Sequence, residues 1–241
     1  MAKLIPTGRC MTKCHVMIFM ACLIICASGC RSKSEDKPLA YYAFQSRIAQ
    51  QEKTLYDPNS PYRDEDAYIP VLEEIIASPY ADSLQKARAA RLLPLARLNS
   101  AGTLAADFEF TLRNGRTSRL SEVATDQDYI LLMFSNPGCA DCSRVTKAVS
   151  GMKNILIINI FPDDDLDAWL EYSAEYPADW ICGYAPQVDE FSEEDGTLPL
   201  YHLRAIPSLY LLDRDHHVIL KDPPIEKVAH YATESRSVQT Q

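Results

Sequence analysis

The chain has 241 residues, of which 47% are hydrophobic and 24% are charged, and its formal net charge is −9. This acidic balance argues against nucleic acid as a partner, because a phosphate backbone is bound by a basic surface. The length is sufficient for one hydrophobic core together with a smaller helical region.

The first 29 residues predict a removable secretion signal. Three basic residues occur within the first thirteen positions, an apolar run follows from Val16 to Cys26, and small residues stand at 27–29. The apolar run is shorter than the roughly 20 residues that span a bilayer comfortably. Removing the signal would take away three basic and no acidic residues, and would shift the net charge from −9 to −12.

A cysteine follows the small residues directly. Ala27-Ser28-Gly29-Cys30 resembles the lipobox of bacterial lipoproteins, and the resemblance implies that Cys30 becomes the lipid-modified N-terminus. The polar residues up to 38 would then form a tether, and the protein would be attached to a membrane of the bacterial cell envelope, facing the periplasm or the outside. An uncleaved membrane anchor and a plain secretion signal are the alternatives.

Only four of the eight cysteines lie beyond the predicted signal: Cys30, Cys139, Cys142 and Cys182. If Cys30 carries lipid, three thiols remain, which is too few for a disulfide scaffold of this size. The close pair indicates a working disulfide instead, and Cys182 is predicted to be a buried free thiol, with a redox role as the alternative.

Residues 39–100 predict three amphipathic helices. The first covers 39–56, and the second is capped by Asp64 or Asp66 and can hold Pro70 only in its first turn. The third covers about 82–97, where Pro94 should kink or end it. The region shows no catalytic cluster, so we expect a packing or partner-binding surface.

The composition changes after residue 100 to alternating apolar segments. Predicted strands cover 108–112, 117–120, 129–135, 155–161, 180–184, 206–213 and 217–221. Short helical segments are predicted at 120–123, after Cys142, after Asp165 and at about 225–234. Because strands alternate with helices in the middle of this region, we expect a parallel pair joined by a right-handed crossover.

The cysteine pair stands at a strand-to-helix junction. The apolar run from Ile130 ends at Pro137-Gly138, and Cys139-Ala140-Asp141-Cys142 opens a segment with helical spacing. The first thiol would therefore lie at a helix N-terminus, where unpaired N–H groups and the helix dipole favour the thiolate that attacks disulfides. The interpretation from the residues is a thiol–disulfide oxidoreductase.

Residues 107–232 resemble the thioredoxin fold, specifically its TlpA/ResA-like branch. The resemblance is carried by Asp107–Phe110 with the Asn114-Gly115 turn, by the strand into the cysteine pair, and by the strand that Ile206-Pro207 opens. It implies an α/β thioredoxin-like sandwich, in which helices flank a central mixed sheet, preceded by a small all-helical region. The predicted divisions are the signal peptide at 1–29, the tether at 30–38, the helical region at 39–100 and the thioredoxin-like domain at 101–241.

The resemblance also implies the roles of individual residues. Cys139 would be the nucleophile, Cys142 would resolve the mixed disulfide, and Pro207 would be cis and lie beside the sulfurs. Ile206 would offer its backbone to an extended substrate, and Gly138, where many relatives carry tryptophan, is the second substrate-binding position. No cofactor and no metal are implied. The partners would be exported protein thiols or disulfides and an upstream thiol donor or acceptor of electrons.

The chain departs from its relatives around the second cysteine. Met133 and Val145 occupy positions where thioredoxin and ResA-type proteins carry carboxylates that accept the proton of the buried thiol. Asp141 is the nearest replacement, with a solvated carboxylate at the helix start as the alternative interpretation. The sequence therefore leaves open whether the protein reduces or oxidises its substrates.

Other functions fit the motif less well. Copper-binding thioredoxin-like proteins usually place three residues between the cysteines and add a distant histidine, and His216-His217 lies in a predicted turn. Peroxide reductases keep a Thr-x-x-Cys motif at the strand end, and no such motif stands at the end of the predicted strand that leads into Cys139. A non-catalytic lipoprotein that binds a partner through its helical region is the other alternative.

Overall fold

The computed structural model describes residues 37–192 and 196–233. The predicted signal peptide, Cys30 and the tether up to residue 36 lie outside the described residues, so these predictions stay predictions. From Ala40 onward the helices and the sheet belong to one structural unit. The predicted boundary at residue 100 therefore separates two kinds of secondary structure inside that unit and also stays a prediction. Among the described residues, no helix has the length and apolar character needed to cross a bilayer.

The N-terminal helices follow the predicted order. Helix α1 covers Leu39–Gln51 and continues as a π-helical turn at Glu52–Tyr56, α2 covers Glu65–Ala77, and α3 covers Ser83–Ala96. The Asp64 side chain caps α2 by accepting a hydrogen bond from the Ala67 N–H. Asp82 caps α3 in the same way through Gln85, whose side chain completes a capping box.

The prediction for Pro70 was wrong. Pro70 is the sixth residue of α2, so it lies in the second turn of the helix and not in the first. It is solvent-exposed, so the carbonyl that lacks its usual N–H partner can bond to water, and the helix continues to Ala77. Pro94 is also exposed, and α3 ends two residues after it, in agreement with the prediction.

The remaining chain forms a seven-stranded mixed sheet. The strands are β1 Glu109–Leu112, β2 Thr117–Arg119, β3 Tyr129–Phe134, β4 Ile155–Phe161, β5 Ile181–Tyr184, β6 Ser208–Asp213 and β7 Val218–Lys221, and their spatial order is β2-β1-β5-β4-β3-β6-β7. Strand β4 pairs in parallel with both β3 and β5, whereas β6 is antiparallel to β3. The central position predicted for β3 is confirmed, since Ile130–Phe134 are fully buried.

Helices cover the sheet and complete the sandwich. They are α4 Ala140–Val149, α5 Leu166–Tyr172 and α6 Ile225–Thr233. Successive β3 residues point to opposite faces, so Leu131 and Met133 pack with Val145 of α4 and Val228 of α6. Residues of the opposite face form an aromatic-rich core with Phe108, Phe110, Tyr201 and Tyr210. The predicted fold class is confirmed.

A buried ion cluster joins the helical region to the sheet. Glu65 at the start of α2 is 2% exposed, and its Oε2 lies 2.8 Å from Nζ of Lys221 in β7. Lys221 Nζ also donates to the carbonyl oxygens of Ala96 and Leu98, each at 2.6 Å. All three hydrogen-bonding positions of the ammonium are therefore used by the helical region and the connector that follows it.

Arg204 extends this ion cluster toward the start of β6. Its Nε lies 3.5 Å from Glu65 Oε1, and its Nη2 lies 2.7 Å from Asp222 Oδ2. The guanidinium also donates to the Tyr56 carbonyl and lies over the Tyr56 ring. Burial alone would raise the pKa of Glu65, but His202, Lys221 and Arg204 outweigh burial and lower this pKa.

We predict that Glu65→Ala lowers the free energy of unfolding by about 3–5 kcal/mol, because it leaves Lys221 and Arg204 as buried charges without their carboxylate. The matched control is Glu73→Ala on the same helix, which removes a half-exposed ion pair with Arg97 and should cost less than about 1 kcal/mol. Urea unfolding at neutral pH measures both values. Equal losses in the two variants would show that the buried cluster contributes no more than a surface pair.

Candidate active site

The cysteine pair lies where β3 turns into α4. Gly138 has φ +83°, a value that favours glycine, and it lets the chain turn immediately before the first cysteine. Cys139 is the N-cap of α4, and its Sγ accepts a hydrogen bond from the Cys142 N–H at 3.3 Å. Cys139 is partly exposed and Cys142 is only 2% exposed, and both are free thiols. The two sulfurs therefore differ in their access to a large substrate.

The start of β6 lies against the first sulfur. The Ile206-Pro207 peptide bond is cis, as the resemblance implied. The Cys139 thiol donates to the Ile206 carbonyl oxygen at 3.7 Å. The predicted residues Gly138, Cys139, Cys142, Ile206 and Pro207 thus lie together, although their roles remain predictions.

Burial has the largest effect on the pKa of the Cys142 thiol. Met133 and Val145 are both buried and belong to the core on this face of the sheet. The pKa of Cys142 is raised to about 12, chiefly by burial and to a smaller extent by Cys139 and Asp141, while a backbone hydrogen bond from Asn136 acts in the opposite direction. Asp141 itself is exposed and lies 3.4 Å from Arg144, so its carboxylate is solvated rather than placed beneath the thiol.

The sequence did not indicate a set of hydrogen-bonded polar side chains that lies near the cysteine motif. Ser135 Oγ donates to Oδ1 of the buried Asn159 at 2.6 Å and lies 3.3 Å from the Tyr176 hydroxyl. Tyr176 and Cys142 line the same surface depression. Asn159 is the single polar residue in β4, and this was the signal that could have drawn attention to it.

Two depressions border the cysteine pair. One is lined by residues of the motif and of the segment after α5: Asn136, Pro137, Gly138, Cys142, Ser143, Thr146, Lys147, Tyr172, Glu175 and Tyr176. The other has a volume of about 310 Å³, and we call it the cis-proline cleft because Ala205, Ile206 and Pro207 form part of it. Asp141 and Arg144 line the same cleft from α4.

The remaining candidates lie elsewhere. Cys182 in β5 is a free thiol, as predicted, but it is half-buried rather than fully buried, and burial raises the pKa of its thiol to about 11. His216 and His217 lie in the turn between β6 and β7, with His217 Nδ1 3.6 Å from Asp213. Within the described part of the chain, no group of three His, Cys, Asp or Glu side chains is placed to hold a metal ion.

Comparisons with known proteins place the chain in a family. A thioredoxin-like protein from Bacteroides caccae is 35% identical, with a TM-score of 0.69 over 80% of this chain and 70% of that chain. The C-terminal domain of an uncharacterized protein from Bacteroides fragilis is 33% identical over 56% of this chain and 99% of that one, with a TM-score of 0.49. The match to the Bacteroides caccae protein shows the family: the chain belongs to the thioredoxin-like proteins.

The helical region matches a different family model. Residues 32–99 match the family described as domain of unknown function (DUF5106). No curated protein shows significant similarity to the chain. Several solved structures named as thiol-disulfide oxidoreductases or interchange proteins match at 16–21% identity, a level at which the similarity concerns the fold alone.

We predict that thiol-directed labelling separates the two cysteines. At pH 8 a thiol with a pKa of about 12 is ionised in roughly one molecule in 10⁴, and the thiolate is the reactive form. In a Cys182→Ala background, Cys142→Ser should therefore react with iodoacetamide through Cys139, whereas Cys139→Ser should react at least about tenfold more slowly. Mass spectrometry of time points between pH 7 and 10 measures the rates, and the slow rate should rise as the pH rises. Similar rates at pH 8 would contradict the buried, high-pKa assignment of Cys142.

Proposed function

We propose that this protein is a thiol–disulfide oxidoreductase that exchanges disulfides with exported proteins through Cys139 and Cys142. The observation that carries the proposal is the partly exposed Cys139 Sγ at a helix N-terminus, with a buried second thiol one turn away and Ile206-Pro207 beside it. This arrangement gives one sulfur that a substrate reaches and a second that completes the exchange.

The exchange takes place in two substitutions at sulfur. In the reducing direction, the Cys139 thiolate attacks one sulfur of a substrate disulfide, the substrate S–S bond breaks, and the leaving thiolate takes up a proton. Cys142 then loses its proton and attacks Cys139 Sγ, which releases the second substrate thiol and leaves a Cys139–Cys142 disulfide. A thiol donor outside the chain restores the dithiol, and the same steps in reverse oxidise a substrate.

The proton of Cys142 is the distinctive element of this mechanism. Met133 and Val145, at the positions where the resemblance expects proton-accepting carboxylates, are buried in the apolar core, whereas Glu175 lines the same depression as Cys142. The high pKa of Cys142 makes the dithiol form stable toward ionisation at the buried sulfur and limits the rate of the second substitution. Both directions remain chemically available, and the donor or acceptor present in the compartment decides the flux.

We also propose that the protein acts while attached to a membrane of the cell envelope by lipid on Cys30. The support is the sequence alone, in which a basic start, a short apolar run and small residues precede Cys30. Lipid attachment would keep the cysteine pair within the reach of the tether from the membrane surface.

The activity predicts a pattern across three cysteine variants. Wild type should catalyse the reduction of insulin by dithiothreitol, and Cys139→Ser should lose the catalysed rate because the attacking sulfur is gone. Cys142→Ser should accumulate mixed disulfides with exported proteins, which non-reducing electrophoresis and mass spectrometry of native cells detect. Cys182→Ser is the matched control and should keep wild-type activity. An inert wild type with no trapped protein would instead favour a partner-binding role without catalysis.

The proposed lipid anchor predicts that loss of Cys30 moves the protein from the membrane fraction to the soluble fraction. Full-length wild type expressed in a bacterial host should sediment with membranes and incorporate labelled palmitate. Cys30→Ser should lose the label and move to the soluble fraction, because the acyl chains supply the hydrophobic attachment. Cys26→Ser, which changes a cysteine inside the signal, is the control and should keep both. Unlabelled wild type would contradict lipidation.

A further inference from the structure

The cis-proline cleft has one wall from the helical region. Pro58, Asn59, Pro61 and Arg63, which lie between the π-helical turn and α2, line it opposite residues of the thioredoxin-like part. We propose that this 57–63 segment forms part of the substrate-binding site and admits an extended, cysteine-bearing polypeptide segment rather than a folded surface. The proposal rests on the proposed disulfide exchange and assigns a role to the helical region.

The cleft and the reactive sulfur share Ile206 as a neighbour. Ile206 lines the cleft, and its carbonyl oxygen lies 3.7 Å from Cys139 Sγ. A substrate cysteine bonded to Cys139 therefore places its neighbouring residues at the entrance of the cleft. The volume of about 310 Å³ lies at the lower end of the range that protein ligand sites occupy, so it fits a short length of single chain.

The 57–63 segment is held firmly in place. Arg63 donates to the carbonyl oxygens of Asp222 at 3.1 Å and Pro223 at 3.0 Å, and it lies 3.6 Å from the Asp222 carboxylate. Ser60 Oγ donates to the Thr54 carbonyl at 2.6 Å. Because these bonds and two prolines restrict the segment before a substrate arrives, binding requires little further ordering of this wall.

The chemistry of the walls points to an extended backbone without acidic side chains as the occupant. Four prolines line the cleft, at positions 58, 61, 207 and 224, and proline has no backbone N–H to donate. Arg63 is paired with Asp222, and Arg144 with Asp141, so these two cations already have acidic partners, and the remaining charged lining residue is Glu226. Because the 57–63 segment walls the cleft, we expect it to obstruct a folded protein surface more than a single extended chain.

Photo-crosslinking tests whether substrate lies against this wall. The full chain carries Cys142→Ser, to hold the mixed disulfide, and a benzophenone amino acid in place of the exposed Asn59. The probe is a synthetic unfolded peptide whose single cysteine is activated by thionitrobenzoate. The matched control places the benzophenone at Leu84, which is 79% exposed in the same helical region but does not line the cleft. We expect crosslinks to the trapped peptide from position 59 and none from position 84.

Kinetics provide a second measurement. Release of thionitrobenzoate should be at least about tenfold faster with the peptide than with folded ubiquitin that carries one equally activated surface cysteine, which corresponds to about 1.4 kcal/mol. Asn59→Trp should slow the peptide reaction by a similar factor, whereas Leu84→Trp should leave it unchanged. A mixed disulfide that forms without a crosslink from position 59, or equal rates with peptide and folded protein, would overturn the inference. Failure to form any mixed disulfide would instead overturn the proposed exchange itself.

Discussion

The arrangement of the site depends on a buried ion cluster that joins the two parts of the chain. Glu65 lies between Lys221 and Arg204, and Arg204 also pairs with Asp222. Charges removed from water are tolerated only when partners and hydrogen bonds are complete, so each of these side chains is confined to one geometry. Arg204 lies two residues before Ile206, and the cluster therefore fixes the segment that lies against Cys139.

The two sulfurs are made different by the same local geometry that brings them together. As N-cap, Cys139 stays at the surface and receives the N–H of Cys142, whereas the helix carries Cys142 into the apolar face of the sheet. Met133 and Val145 belong to the apolar core on this face of the sheet, and Lys147 and Glu175 are the charged residues that line the depression containing Cys142. Ser135 links Asn159 and Tyr176 by hydrogen bonds, and Tyr176 lines the depression that also contains Cys142.

The sequence predicted those features that depend on neighbouring residues. The bounds of β4 were predicted without error, and Asp64, one of the two predicted capping residues, caps α2. Both features depend on short local patterns of residues. The position of Ile206-Pro207 beside Cys139 followed from the family resemblance. The buried ion cluster was not predicted, because whether a charged residue is buried depends on partners far along the chain. Glu65 and Lys221 are 156 positions apart by their numbers, and nothing in the residues around either one indicates the pair.

The position of the 57–63 segment also could not be predicted from the residues around it. In the sequence, its prolines indicate a break between helices and nothing more, and the structure places them at the cleft beside Ile206 and Pro207. Hydrogen bonds through residues 222 and 223 connect the 57–63 segment to β6. Arg63 donates to the Asp222 and Pro223 carbonyls, and the Asp222 N–H in turn donates to the Leu209 carbonyl near the start of β6. Without residues 39–100, Lys221 and Arg204 would lose their carboxylate partner Glu65, and Lys221 would also lose its acceptors at Ala96 and Leu98. The charges that join the helical region to the thioredoxin-like part therefore also hold the residues just before Ile206, which lies against the reactive sulfur.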